Sequence, residues 1–264
     1  NVAMVPFHSW LPDAHPAAPS PISAMLSGVV IKTGIYAMYR LLTMVFPPSM
    51  YDWQVGLMLL AILTMTVGNL MAALQTDIKR LLAFSSIANI GYIIFALSIG
   101  SELGLAGGLL HVLNHAVSKA LLFLAAGSFI HAARSRNLEE IAGIARRMPI
   151  SGVAYSIGAF SLAGVPGLNA FVSEYTIITA AFAAGQQVLA AIMLLNVVIG
   201  AMYHLRVVQI IFVKPETETS SKCRESNIAI VTPLLILSAI SILMGVYATP
   251  FLDTAHSVVT TLLK

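Results

Sequence analysis

Apolar residues gather into seven long runs along this chain, at 22–46, 54–75, 81–100, 104–130, 152–184, 187–213 and 228–250. About 20 apolar residues in helical form cross the hydrocarbon core of a bilayer, so each run predicts a membrane span. The fifth run is too long for one straight crossing. It contains "AGVPGLN", where Pro166 stands between Gly164 and Gly167. Proline lacks the donor that an interior helical residue supplies, so the pattern predicts a break there. A broken helix inside a membrane usually lines a cavity rather than lipid.

The polar connections alternate in charge. The segments 76–80, 132–151 and 214–227 hold Lys79, Arg80, Arg134, Arg136, Arg146, Arg147, Lys214, Lys222 and Arg224. The connections between them in the alternation, "FPPSMYDW", "GSELG" and "GQQ", hold no lysine or arginine. Positive loops stay in the cytoplasm, which places these three basic loops and "HSWLPDAHPAAPSP" there, with the tail ending in Lys264 on the other side. A miscounted span would scramble this alternation. The prolines of "HPAAPSP" argue for a connector rather than a regular helix, and "RNLEEIAGIARRMP" reads as a short surface helix.

Composition agrees. Of 264 residues, 58% are hydrophobic and 9% charged, and the mean hydropathy is +0.88. A soluble domain carries about 25% charged residues, so a soluble enzyme is excluded. The net charge of +3 gives no nucleic-acid footprint. The lone Cys223 rules out a disulfide framework or a cysteine-based metal site within this chain. The opening "NVAMVPFHSWLP" reads as a helix already under way, predicting that the chain is the C-terminal part of a longer protein.

Against this apolar background, "GGLLHVLNHAVSKALLFLAAG" carries His111, His115 and Lys119 at intervals of four. On a helix they form one stripe about 12 Å long, with Asn114 and Ser118 beside it. A charge near the bilayer centre costs at least about 2.5–3.5 kcal/mol, so three ionisable groups in register call for a partner, a hydrated cavity or a function. Lys32 lies deep in the first span, accompanied by Tyr36, and Arg40 lies beyond it towards the outer face. Glu174 follows the Pro166 break, with Asn169 and Ser173 close in sequence, and a Lys32–Glu174 pair is open. Ser85, Ser86 and Asn89 begin the third span.

An intramembrane series of lysine, histidine and glutamate has the composition of a proton relay. Free histidine and lysine differ by about four pKa units. Burial can lower a lysine by up to 3–5 units, which lets the two types exchange protons. Metal binding by His111 and His115 is the rival reading. No third histidine or carboxylate is near them in sequence, and one helix face cannot supply both axial ligands of a haem. No nucleophile–base pair reads as catalytic.

The stretches "PFHSWLPDAHPAAPSPISAML", "TDIKRLLAFSSIANIGYI", "HVLNHAVSKALLFLAAG" and "GVPGLNAFVSEY" resemble the antiporter-like proton-translocating membrane subunits. That family includes subunits of respiratory complex I, of energy-converting hydrogenases and formate hydrogenlyases, and of multisubunit cation/proton antiporters. The resemblance implies an all-α polytopic bundle with a broken helix, this chain covering the second of two inverted repeats. Residues 1–21 would then be the end of a truncated broken helix plus a connector, 22–250 a seven-span bundle and 251–264 a tail. It implies a relay through Lys32, His111, His115, Lys119 and Glu174 and a polar patch at Ser85 and Ser86; the residues themselves read Ser85, Ser86, Asn89, Asn114 and Ser118 as lining water. No cofactor is implied in this chain, and iron–sulfur clusters are expected in partner subunits, alongside other membrane subunits and a peripheral redox arm. The chain would be a non-redox subunit of an ion-translocating oxidoreductase in the cell membrane. A sodium or potassium/proton antiporter subunit, with the cation at Glu174, and a non-translocating scaffold are the alternatives. The family's lysine seven residues before the histidine of "PFH" is Asn1 here, and its cytoplasmic-half glutamate lies outside this sequence.

Overall fold

The computed structural model describes residues 2–47 and 50–262, so Asn1 and Lys264 lie outside the described residues. Regular structure among the described residues is helical. A short helix α1 (Leu11–Ala17) leads into one long helical rod over Ser20–Val45. The rod comprises α2 (Ser20–Met25), a π-helical turn (Leu26–Val30), α3 (Ile31–Arg40) and a second π-helical turn (Leu41–Val45). Then come α4 (Gln54–Ala73), α5 (Ile78–Ile99), α6 (Glu102–Ala133), α7 (Pro149–Leu162), α8 (Asn169–Ala183) and α9 (Gln187–Phe212). The chain finishes with α10 (Glu218–Ser221), α11 (Ile228–Val246) and α12 (Thr249–Leu262).

Six of these rods, Ser20–Val45, α4, α5, α6, α9 and α11, are long and apolar enough to cross a membrane. The fifth predicted run is the pair α7 and α8, each too short to cross alone. Asp77 starts α5 by accepting from the backbone of Lys79 and Arg80, and Ser101 starts α6 through Gly104. Burial on every side of α5, except at Arg80, explains why its sequence is apolar all round. At 32 residues α6 is about 48 Å long, well beyond the ~30 Å hydrocarbon core. It packs against α2, α5, α7, α8, α11 and α12 and so forms the axis of the bundle. Large apolar side chains such as Leu59, Leu195, Leu235 and Leu243 point outward, while Lys32, His111, His115, Lys119 and His204 point inward. That inversion suits a hydrocarbon solvent.

The break between α7 and α8 needs glycine. Gly164 and Gly167 hold φ of 73° and 90°, conformations that L side chains avoid. Against the same turn, α11 presents Gly245, where a Cβ would fall 2.4 Å from the Gly167 carbonyl oxygen and the Leu168 Cα.

The three basic loops meet at one end. Ile78 N donates to Arg136 O (3.0 Å), Leu138 N to Thr76 O (2.9 Å) and Gly143 N to Ile210 O (3.0 Å). The segment before α2 joins them, since Lys79 Nζ donates to Ala18 O (2.6 Å) and Arg136 Nη1 to Pro16 O (2.9 Å).

Several local expectations are corrected. The "HPAAPSP" region is not a plain connector: α1 tolerates Pro12 in its first turn, where the lost donor costs nothing, and Pro16 at its end. The stretch 137–148 is no surface helix. It forms turns and a 3₁₀ turn (Ile144–Arg146), and its Leu138, Ile141, Ile144 and Met148 are buried. Tyr36 does not join Lys32 in the interior but faces outward, with Arg40 over its ring. Tyr39 takes the buried position. Residues 251–262 of the expected tail lie in α12, which packs on α6 and buries Ala255 and Val259.

Candidate functional site: a buried polar thread

On α6, His111, His115 and Lys119 are all fully buried, on one face as the spacing requires. Lys32 from α3 meets that face. Its Nζ donates to the Ser27 carbonyl, in the π-helical turn, and lies 2.6 Å from His115 Nδ1. Turns of this kind concentrate at functional sites. An ammonium only donates, so with Lys32 charged Nδ1 must be the acceptor and the ring proton of a neutral His115 sits on Nε2. That Nε2 is buried and has no hydrogen-bond partner among the described residues.

His111 is fixed by a chain of assignments. Asn89 Nδ2 donates to the Ser85 carbonyl (2.8 Å), which can only accept, so Asn89 Oδ1 faces His111 Nε2 at 3.1 Å. Nε2 therefore carries a proton. Nδ1 lies 2.9 Å from Ser173 Oγ on α8. That hydroxyl also receives Asn114 Nδ2 (3.0 Å) and reaches the Ala170 carbonyl (2.9 Å). With neutral His111, Ser173 donates to Nδ1. With protonated His111, Nδ1 donates to Ser173, whose own proton turns to Ala170. One rotating hydroxyl thus satisfies both charge states. The two imidazoles stack with centroids 6.2 Å apart, too far and too parallel for a direct hydrogen bond.

Lys119 Nζ donates to the Leu82 carbonyl (3.0 Å), one bond for three donors. Asn169, the first residue of α8, clasps four helices, its own among them. Its Oδ1 receives Ser161 of α7 (2.5 Å), Ser241 of α11 (2.7 Å) and Ser118 of α6 (3.2 Å), and its Nδ2 donates to Asn114 O (3.0 Å). Glu174 sits at the helix break, where a Cβ on Gly164 would come 3.0 Å from its Oε2. Its Oε1 is buried and has no hydrogen-bond partner among the described residues. Ser86 bonds Ser27 (2.8 Å) and Ser85 bonds His204 Nε2 (3.1 Å).

Residues 1–200 match the family described as NADH:quinone oxidoreductase/Mrp antiporter, transmembrane region. The chain belongs to this family. F(420)H(2) dehydrogenase subunit N of Methanosarcina mazei is 34% identical over 265 residues, covering 97% of this chain and 53% of that protein. The Mrp complex from Dietzia sp. DQ12-45-1b matches in structure with a TM-score of 0.94 at 26% identity, over 100% of this chain and 57% of that one. The archaeal membrane-bound sulfane sulfur reductase matches at 0.89 and 34%, over 99% and 53%. The chain spans about half the length of the curated relatives it matches. It is thus a multi-pass, antiporter-like membrane subunit, and these structural neighbours are multisubunit membrane complexes.

In this antiporter-like subunit the residues singled out in the sequence are not equally joined. Lys32, His115, His111, Asn89 and Ser173 converge from α3, α5, α6 and α8. Lys119 and Glu174 are buried nearby without a hydrogen bond to those residues. Among the described residues no ion pair joins Lys32 to Glu174, and no three histidine, cysteine or carboxylate side chains gather as a metal site would require. Sequence reasoning missed His204 and the buried group of Asn69, Tyr92, Asn196 and Tyr203, in which Asn69 bonds both tyrosine hydroxyls (3.1 and 3.0 Å). The signal was present: His204 is ionisable within an apolar run, as the α6 residues are. His15 is fully buried and stacked on Phe123 with centroids 4.5 Å apart, a position that its proline-rich surroundings in the sequence do not signal.

Proposed function

We propose that this subunit carries protons across an energy-transducing membrane through Lys32, His115, His111, Lys119 and Glu174. Ser85, Ser86, Asn89, Asn114 and Ser118 hold or line the water that completes the path. The observation that carries this reading is the buried Lys32–His115 contact beside a His111 whose partners suit both of its charge states. A direct hydrogen bond lets a proton pass between Lys32 and His115. The stacked pair, Lys119 and Glu174 are joined through water, the partner left to the buried His115 Nε2 and Glu174 Oε1. The basic end faces the cytoplasm of the cell. Redox energy arrives from partner subunits that hold iron–sulfur clusters, and this chain needs no cofactor of its own.

The test is made on the full-length protein in its complex, reconstituted in vesicles. Lys32→Met should abolish proton translocation while electron transfer continues more slowly or uncoupled. An unchanged proton yield per electron would leave only the scaffold reading. Loss of transport when sodium and potassium are withdrawn would favour cation/proton exchange instead.

A further inference from the structure

The basic end of the bundle opens into a groove that the proton path does not use. Three cavities of about 400, 420 and 480 Å³ run end to end. The deepest lies between Gly28 and Val29 on one side and Ala116 and Ala120 of α6 on the other. It shares Pro21 and Leu124 with the middle cavity, which shares His131 and Ile230 with the outermost. Met25 and Val29 on its wall are each 60% exposed, so the groove is open sideways.

Its chemistry changes along its length. The deep part is lined by apolar side chains. Lys79 stands at the middle cavity, and His131, Arg134, Lys222 and Arg224 surround the outer one. Glu225 is the acidic residue facing them, and its carboxylate is engaged by the Ile150 and Ser151 backbone N–H groups and the Ser151 hydroxyl. Lys222 also pairs with Glu218, but both are exposed and such a pair is weak. Along α6 the groove runs from Ala116 to His131, about 22 Å at the helical rise. One leaflet with its headgroup layer is about 20–22 Å deep.

We propose that this groove binds one anionic phospholipid, its phosphate among Arg134, Arg224, Lys222 and His131 and one acyl chain along α2 and α6 as far as Gly28. A free phosphate would occupy only the outer cavity and leave the apolar two unfilled. The cations recognise the negative headgroup, and the apolar walls recognise the chain. This assignment stands apart from proton transport.

Native mass spectrometry of the full-length protein, taken from phosphatidylglycerol or phosphatidylcholine nanodiscs, tests it. One phosphatidylglycerol should stay bound and phosphatidylcholine should not. Arg134→Gln with Arg224→Gln, both on the exposed rim, should weaken retention about 30-fold. Ala120→Phe fills the deep cavity and should release the lipid with every cation in place. Equal retention of the two lipids, retention unchanged in both variants, or no retained lipid because other protein fills the groove would each overturn the proposal.

Discussion

Ser173→Ala isolates the hydroxyl that lets His111 change charge. In the wild type Ser173 donates to the neutral ring and accepts from the protonated one, at 2.9 Å. Alanine removes both bonds while Asn114 Nδ2 keeps its bond to Asn169 O (2.7 Å), so the helix contact survives. A hydrogen bond to a neutral partner contributes about 0.5–1.5 kcal/mol and one to a charged partner about 1.5–3 kcal/mol. The difference, about 1–1.5 kcal/mol, falls on the protonated ring alone. If protonated His111 lies on the path, proton translocation should slow about 5- to 13-fold. The assay is the initial acidification rate of proteoliposomes carrying the assembled full-length protein, read beside its electron-transfer rate and thermal midpoint. Ser173→Thr, which keeps the hydroxyl, should recover most of the rate. A fully active alanine variant, or a threonine variant as slow as alanine, would refute the argument.

Lys119→Ala should stop translocation, and Lys119→Arg should also impair it, because arginine does not release its proton; normal proton yields in both variants would remove Lys119 from the path. Gly245→Ala forces a Cβ to within 2.4 Å of Gly167 and Leu168 backbone atoms that cannot easily move; a loss of about 1–3 kcal/mol should appear as a lower thermal midpoint, and an unchanged midpoint would show that α11 does not press on the break. His15, outside the spans, is pushed from 6.5 to about 3 by burial first and then by the Lys119 charge. The unfolded chain therefore binds the extra proton first. Stability from this residue is complete above about pH 6.5 and is lost as pH falls towards 3. His15→Leu should flatten the fall in thermal midpoint across that window, and an equal slope in variant and wild type would contradict the burial.

The spans, their order, the break at Pro166 and the basic alternation follow from the sequence, because a bilayer permits few backbone solutions and marks each by length and hydropathy. The α6 stripe was legible for a second reason: a four-residue interval is a property of one helix and needs no knowledge of its neighbours. Which side chains meet across helices was not legible. Tyr36 and Tyr39 are three residues apart in one apolar run, yet one faces out and the other in, because the rod's rotation is set by packing against its neighbours. Lys32 is held by His115 rather than Glu174 for the same reason, and Asn169 gains its four-helix role only where Ser118, Ser161 and Ser241 arrive together. Hydropathy fixes how far a residue lies along a span. Its bearing around the helix axis, and so its partner for a proton, depends on contacts between residues far apart in the chain, and those only the folded bundle decides.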